Sequence, residues 1–278
     1  MADAGNMDGK VALVSGSGRG IGRAIAEKLG GKGAAVVVND LDDEIAGETV
    51  AAIEAAGGRA VACVGDVTTP DFGERFANTA LDSFGGIDII VNNAGYAWDS
   101  VIQKTTDEQF QAMLDVHVVA PFRILRAASE FIRSAAKKEI AEGRTVYRKV
   151  VNISSIAGLY GSAGQIGYSA GKSALVGMTR TLAKEWGRYN VNVNCVAFGF
   201  IHTRMTQPLG DAQAVAKIGN REIGMGIHPD MIKTLEAMVP LGRGGTPEEA
   251  ADTVYMFCTK EANYISGQVL LAGGGLII

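Results

Sequence analysis

Short apolar runs rich in Val, Ile and Ala alternate along this chain with longer stretches in which apolar residues recur at helical spacing. Residues 10–15, 34–39, 60–65, 87–92, 150–153, 191–196 and 268–271 read as buried strands. Residues 20–29, 44–56, 71–84, 107–140 and 168–188 read as amphipathic helices between them. This alternation predicts the α/β class: a single Rossmann-type, doubly wound parallel seven-stranded sheet with helices on both faces. Such sheets bind ligands beyond the carboxyl ends of their strands, at the point where strand order reverses.

Two segments break the rhythm. Residues 133–148 are charged and read as an extension of the fourth helix with a loop back to the next strand, and no chemistry is assigned to them. Residues 204–240 are rich in Gly, Pro and Met, including Met205, Met225, Met231 and Met238, and read as a substrate lid with an adaptable apolar pocket. No internal repeat or linker divides the chain, so residues 1–278 are expected to form one dinucleotide-binding and catalytic domain.

Composition narrows the class of ligand. Apolar residues make up 47% of the chain, yet no run reaches the roughly 18 needed to span a bilayer. The opening MADAGNMDGK has neither the positive flank nor the apolar stretch of a signal peptide, which leads to the expectation of a cytoplasmic protein. Net charge is −4 with no long block of either sign, which argues against nucleic-acid or membrane partners and for small molecules. Cys63, Cys195 and Cys258 are widely spaced in apolar segments, outside any CxxC or Cys/His pattern, so they are expected to be buried thiols and no metal site is expected.

Chemistry concentrates at the predicted strand ends. After the first strand, Ser15-Gly16-Ser17-Gly18-Arg19-Gly20-Ile21-Gly22 leads straight into a helix. Glycines at such a corner let backbone N–H groups and the helix N-terminus approach a pyrophosphate, although the spacing here is GxxxGxG and not GxGxxG. Asp40, at the end of the second strand and about 20 residues further on, is placed to accept from the adenosine ribose hydroxyls. It favours NAD, whereas Arg19 in the glycine turn would attract the extra phosphate of NADP; Asp40 is expected to prevail. Its alternative role, as cap of the following helix, suits Asp42 and Asp43 better.

Tyr168 and Lys172 lie one helical turn apart on one face. A free phenol titrates near 10, and a fixed cation beside it favours phenolate. Upstream, the strand ending Val150-Val151-Asn152-Ile153-Ser154-Ser155 offers two hydroxyls. Ser155 is expected to donate to a substrate oxygen while Tyr168 protonates it, and Ser154 is expected to cap the next turn.

Together these motifs resemble the short-chain dehydrogenase/reductase family over nearly the whole chain. The resemblance rests on Ser15–Gly22 for the glycine turn, Asp66-Val67 for the adenine contact, Asn92-Asn93-Ala94-Gly95, the set Ser155, Tyr168 and Lys172, and Gly199 through Thr203. It implies that Gly16, Ser17, Arg19, Gly20, Ile21, Gly22, Asp40, Asp66, Val67, Asn93, Ala94, Gly95, Ile201 and Thr203 bind the cofactor with Tyr168 and Lys172. It implies further that Tyr168 is the general acid/base, that Ser155 polarises the substrate oxygen, and that Lys172 lowers the tyrosine pKa and holds the nicotinamide ribose.

Three departures stand out. His117 occupies the fourth-helix position where many members carry Asn, and is included among the catalytic residues as a candidate proton relay, against the reading of a packed neutral imidazole. Phe198 replaces the usual proline before Gly199, and Leu271-Ala272-Gly273-Gly274-Gly275 lacks an acidic residue often found there. The wording of the motifs is nearest to 3-oxoacyl thioester reductases and 3-hydroxyacyl dehydrogenases of the acyl-carrier-protein or CoA type. Alternatives are a sugar, steroid or xenobiotic alcohol dehydrogenase of the same family, a non-catalytic dinucleotide-binding regulator, and a Rossmann methyltransferase, which would have no use for the Tyr-Lys pair. Surplus apolar residues on the two long helices, such as Ala127, Phe131, Leu182 and Trp186, suggest subunit contacts, and the resemblance implies a homotetramer in which these helices pair.

Overall fold

The computed structural model describes residues 7–208, 214–218 and 221–276. Seven strands form one parallel sheet: β1 (Val11–Val14), β2 (Ala35–Val38), β3 (Arg59–Ala62), β4 (Ile89–Asn92), β5 (Arg148–Ser155), β6 (Val191–Phe198) and, last in the chain, β9 (Val269–Ala272). Their order is β3-β2-β1-β4-β5-β6-β9, so the winding reverses between β1 and β4. The predicted class and the number of strands agree with this sheet, with boundaries displaced by a few residues.

The β-branched runs become fully buried strands because helices cover both faces. On one face α1 (Gly20–Gly31), α2 (Asp43–Ala55) and α9 (Pro247–Cys258) pack on Val14, Val36, Val91 and Val196. On the other, α3 (Phe72–Phe84), α5 (Ala120–Ala141) and α7 (Ile166–Trp186) pack on Leu13, Val37, Ile90 and Val193 around Phe72 and Phe76. Cys63, Cys195 and Cys258 are buried free thiols, as expected.

Four features differ from the sequence-based expectation. The stretch expected as one helix over 107–140 is α4 (Asp107–Leu114), a single π-helical turn at Asp115–Val119, and α5. A short helix, α6 (Ile156–Tyr160), follows β5 directly. The 204–240 segment contains a hairpin, β7 (Ala214–Ile218) with β8 (Arg221–Met225), and a helix, α8 (Pro229–Met238). The side chain of Met225 lies outside the described residues. Finally, α9 was not foreseen, although Thr246 and Glu249 form a reciprocal capping box at its start.

The charged 133–148 stretch does extend α5, and it hides a structural ion pair. Arg148 reaches Glu139 with two bonds of 2.8 Å and is 5% exposed in its side chain. Of the apolar residues expected at subunit contacts, one is buried and three remain half-exposed. Trp186 is buried, and Ala127, Phe131 and Leu182 pack against the core.

Candidate active site

The glycine corner is built by mutual hydrogen bonding at the switch point. Ser15 Oγ donates to the Val91 carbonyl and accepts from the Asn93 and Ala94 N–H groups at 3.1 Å each. Asn93 Nδ2 donates back to the Ser15 and Gly16 carbonyls. Gly16 has φ +61°, and a Cβ there would lie 2.7 Å from the Ala94 Cα. A side chain at Gly22 would collide with the Gly16 carbonyl. These positions need glycine because backbone crosses backbone.

Gly20 is different: its φ is +57°, and a Cβ would meet nothing within 4 Å. It opens α1, whose first turn carries no acidic residue and no side-chain cap. The free N–H groups and helix dipole there suit an anion such as a pyrophosphate, with Ile21 half-buried beside them. The residues present therefore fit a dinucleotide. Ser17 does not face that open side. It is fully buried, its hydroxyl donates to the Val14 carbonyl and accepts from Asn39 N–H, and its own N–H donates to the Asn39 carbonyl.

Asn39 is a residue that sequence reading missed. Its Oδ1 accepts from Gly16 N–H at 3.0 Å, and its Nδ2 donates to the Cys63 and Gly65 carbonyls. It thereby ties the glycine corner to the segment after β3. Next to it, Asp40 stands against Gly18 and lies 3.9 Å from the Arg19 Nε, while Asp42 stands 3.9 Å from another nitrogen of the same guanidinium. Asp42 caps α2, accepting from the Glu44 and Ile45 N–H groups, which leaves Asp40 outside the capping role. Asp66 accepts twice from Thr68, from its N–H and its hydroxyl, and the neighbouring Val67 is buried.

Across the switch point, α7 carries Tyr168 and Lys172. Lys172 is buried at 4% exposure, donates from Nζ to the Ile153 carbonyl at 2.7 Å, and sits 5.6 Å from the centre of the Tyr168 ring. Burial pulls its ammonium down to about 8. Burial also pushes the Tyr168 phenol up to about 12, against the Ser155 hydroxyl, which hydrogen-bonds it and pulls it down. The expected depression of the phenol by Lys172 is not found: desolvation dominates, Ser155 alone pulls the value down, and the phenol holds its proton at neutral pH.

The cap expected of Ser154 falls to its neighbour. Ser155, not Ser154, caps α6 by accepting from Ala157 N–H at 3.2 Å, while its hydroxyl also hydrogen-bonds the Tyr168 phenol. Ser154 is buried and donates to the Lys172 carbonyl at 2.8 Å, locking α7 against β5. A strand end turning directly into a helix puts the cap on the last strand residue, which an isolated reading of the Ser-Ser pair does not resolve.

His117 completes this cluster from the π-helical turn. It is 1% exposed, its Nε2 lies 2.8 Å from the Tyr96 carbonyl, and its ring stands edge-on to Tyr168 at 5.1 Å. A carbonyl only accepts, so Nε2 carries the proton and Nδ1 is a lone-pair acceptor, buried and without a protein partner among the described residues. Burial first and Lys172 second hold its pKa well below the usual histidine value, so it is neutral. Gly95 and Gly171 are the places where its ring fits: a Cβ on Gly171 would lie 2.8 Å from the His117 Cβ.

On the far side, Gly199 approaches Gly273 so closely that a Cβ would lie 2.7 Å from the Gly273 Cα. Ile201 is buried and bridges to Gly245. Thr203 N–H donates to Thr206 Oγ, which in turn donates to the Ile201 carbonyl at 2.7 Å. Phe198 is buried on the α9 side of the sheet and lines, with Phe200, Ile201 and Leu271, a cavity of about 240 Å³.

A doubly wound sheet with an anion-ready helix start on one side of its switch point, and a protonated phenol over a buried amine on the other, defines an oxidoreductase that works with a nicotinamide dinucleotide. The chain belongs to the short-chain dehydrogenase/reductase family, and residues 16–277 match the family described as Enoyl-(Acyl carrier protein) reductase. It is similar to the 3-oxoacyl-(acyl-carrier-protein) reductase FabG of Vibrio cholerae, 35% identical over 98% of each chain. The 3-oxoacyl-(acyl-carrier-protein) reductase of Synechocystis sp. is 36% identical over 97% of each chain. Short-chain reductase protein NovJ of Streptomyces niveus is 36% identical over 95% of this chain and 93% of its own. Among solved structures, a dehydrogenase/reductase from Sinorhizobium meliloti superposes with TM-score 0.83 at 29% identity, covering 99% of this chain and 98% of that one. Among the described residues, no helix is long and apolar enough to cross a membrane, and no cluster of His, Cys, Asp or Glu could hold a metal ion.

Proposed function

We propose that the protein interconverts a 3-oxoacyl thioester, carried on acyl-carrier protein or CoA, and the corresponding 3-hydroxyacyl thioester, using NAD. The observation that carries this reading is the convergence of Ser155 and Lys172 on the Tyr168 phenol, which offers one carbonyl oxygen both a proton and a hydrogen bond. The names of the relatives similar over nearly the whole chain supply the substrate class.

When bound, the cofactor supplies the hydride that reaches the carbonyl carbon. Tyr168 gives its phenolic proton to the carbonyl oxygen, and Ser155 donates a hydrogen bond to that same oxygen, so charge never accumulates there. Lys172, anchored on the Ile153 carbonyl, holds a positive charge behind the phenol ring and would hold the nicotinamide ribose of a bound cofactor. His117 holds Tyr168 edge-on, and its unpartnered Nδ1 can take a proton or a water during re-protonation. In the oxidative direction the phenol must first lose its proton, and the same groups act in reverse.

For the cofactor, Gly16, Arg19, Gly20, Ile21 and Gly22 frame the pyrophosphate, with Ser17 supporting the turn from beneath. Asp66 and Val67 face the adenine side, Asn93, Ala94 and Gly95 border the cleft, and Ile201 and Thr203 receive the carboxamide. Asp40 takes the adenosine ribose hydroxyls. Because Asp40 and Asp42 both stand 3.9 Å from Arg19, that cation is already compensated and gives a 2′-phosphate little to bind, which favours NAD over NADP. Residues 204–240 serve as the substrate lid within one domain spanning 1–278. The assembly proposed is a homotetramer, supported by exposed Leu270 on the edge strand β9 and exposed Phe122 and Ile140 on α5. The test is oxidation of NADH and of NADPH with acetoacetyl-CoA against plain ketones. The thioester should be reduced at least tenfold more efficiently, and with NADH; a better plain ketone would assign the protein to another branch of the family.

A further inference from the structure

The loop leaving β4 is stitched to the loop entering α7, the helix that carries Tyr168. Ser100 bridges in parallel to Gln165, with Ser100 N–H donating to the Gly164 carbonyl at 2.8 Å. Beside it, Gln165 Nε2 donates to Asp99 Oδ2 at 2.7 Å. Gln165 is the residue just before α7, one helical turn ahead of Tyr168. The Asp99 carboxylate is therefore fixed beside the start of the helix that carries Tyr168, by a neutral partner.

Of the other groups around Tyr168, Lys172 lies behind the ring with its charge directed at the Ile153 carbonyl, His117 is neutral, and Ser155 is uncharged. The field of Asp99 reaches the phenol and helps to raise its pKa, and burial raises the pKa of Asp99 itself against the hydrogen bond from Gln165. The same field acts on any charge brought up to the phenol.

We propose that Asp99, held by Gln165, is a specificity-determining residue that rejects substrates with a carboxylate near the reacting ketone and accepts a hydrogen bond from an N–H or O–H on a neutral chain. This rests on the carbonyl-reducing function proposed above. It makes the enzyme choose a 3-oxo ester or thioester over the free 3-oxo acid formed by its hydrolysis. Two unit charges about 6 Å apart near a protein surface interact strongly enough to discriminate by about tenfold to a hundredfold.

The test compares ethyl acetoacetate with acetoacetate, as substrates with NADH and as ligands of the cofactor-free protein by ligand-observed NMR, in the wild type and in Asp99→Asn. Asparagine keeps the bond to Gln165 and removes the charge. The ratio of kcat/KM for ester over acid should fall at least tenfold in Asp99→Asn, through a gain on the acid, and acetoacetate should bind more tightly. A ratio that stays constant, or equal losses on both substrates, would overturn the proposal and leave Asp99 a mere support of its loop. If the wild type turned over neither compound with either cofactor, the function proposed above would fall, while unchanged acetoacetate binding in Asp99→Asn would separately overturn the role of Asp99.

Discussion

Lys172 donates from Nζ to the Ile153 carbonyl at 2.7 Å while the same atom stands 5.6 Å from the centre of the Tyr168 ring. The site thus stores a buried amine under a half-buried phenol, and burial moves the two pKa values in opposite directions.

That displacement has a signed consequence for stability. Lys172 titrates at about 8 in the folded protein against 10.5 for an ordinary lysine, so between these values the unfolded chain binds more protons than the folded one. Its contribution is fully present above about 10.5 and is lost as pH falls through about 8. In urea titrations of the cofactor-free protein, the stability of the wild type relative to Lys172→Met should therefore rise from pH 8 to pH 10. A difference that is flat or falls over this range would show that the amine is not desolvated as described.

Cofactor choice is predicted to reside in Asp40. Asp40→Ser removes one charge-assisted hydrogen-bond acceptor, worth about 1.5–3 kcal/mol, and frees Arg19 from one of its two carboxylates. The ratio of kcat/KM for NADH over NADPH should fall by about tenfold to a hundredfold. An unchanged ratio would remove Asp40 from the adenosine site.

At the glycine corner, Gly22→Ala forces a methyl group against the Gly16 carbonyl, so backbone must move. Overpacking of this kind costs about 1–3 kcal/mol. The expected result is a lower Tm together with weaker NADH binding, read by nicotinamide fluorescence. Gly20→Ala, where a methyl group meets no neighbour but φ is +57°, should cost stability through backbone strain without a clash.

The pair Arg148–Glu139 gives a control far from the chemistry. Arg148→Met leaves Glu139, 13% exposed in its side chain, without its bidentate partner. Breaking a buried pair costs about 3–5 kcal/mol, so Tm should drop by several degrees while KM for NADH stays unchanged. Arg148 first, through its hydrogen bond, holds the Glu139 carboxyl below the usual range, so this contribution is present at neutral pH and is lost in acid.

Much of this was legible in the sequence because it depends on local spacing. Strand-helix alternation defined the sheet, and the one-turn interval between Tyr168 and Lys172 put both on one helix face. What escaped depends on contacts between segments distant in sequence. Asn39 reads as an ordinary strand-end residue until it is seen bonding to Gly16, Cys63 and Gly65. The roles of Ser154 and Ser155 are decided by α6, too short to register in hydrophobic period. The π-helical turn that carries His117 looks helical in pattern throughout. By contrast, α9 was readable from Thr246 and Glu249, and of the apolar residues of α5 and α7 read as an interface Trp186 is buried while Ala127, Phe131 and Leu182 stay half-buried against the core.

The most direct test of the account is the rate of NADH oxidation with acetoacetyl-CoA by the wild type and by Tyr168→Phe, with NADH affinity measured in parallel. Losing the proton donor should lower kcat by about a hundredfold to ten-thousandfold and leave NADH binding within a few-fold. A Tyr168→Phe enzyme that keeps most of its kcat would contradict the assignment of Tyr168 as the acid, and with it the mechanism.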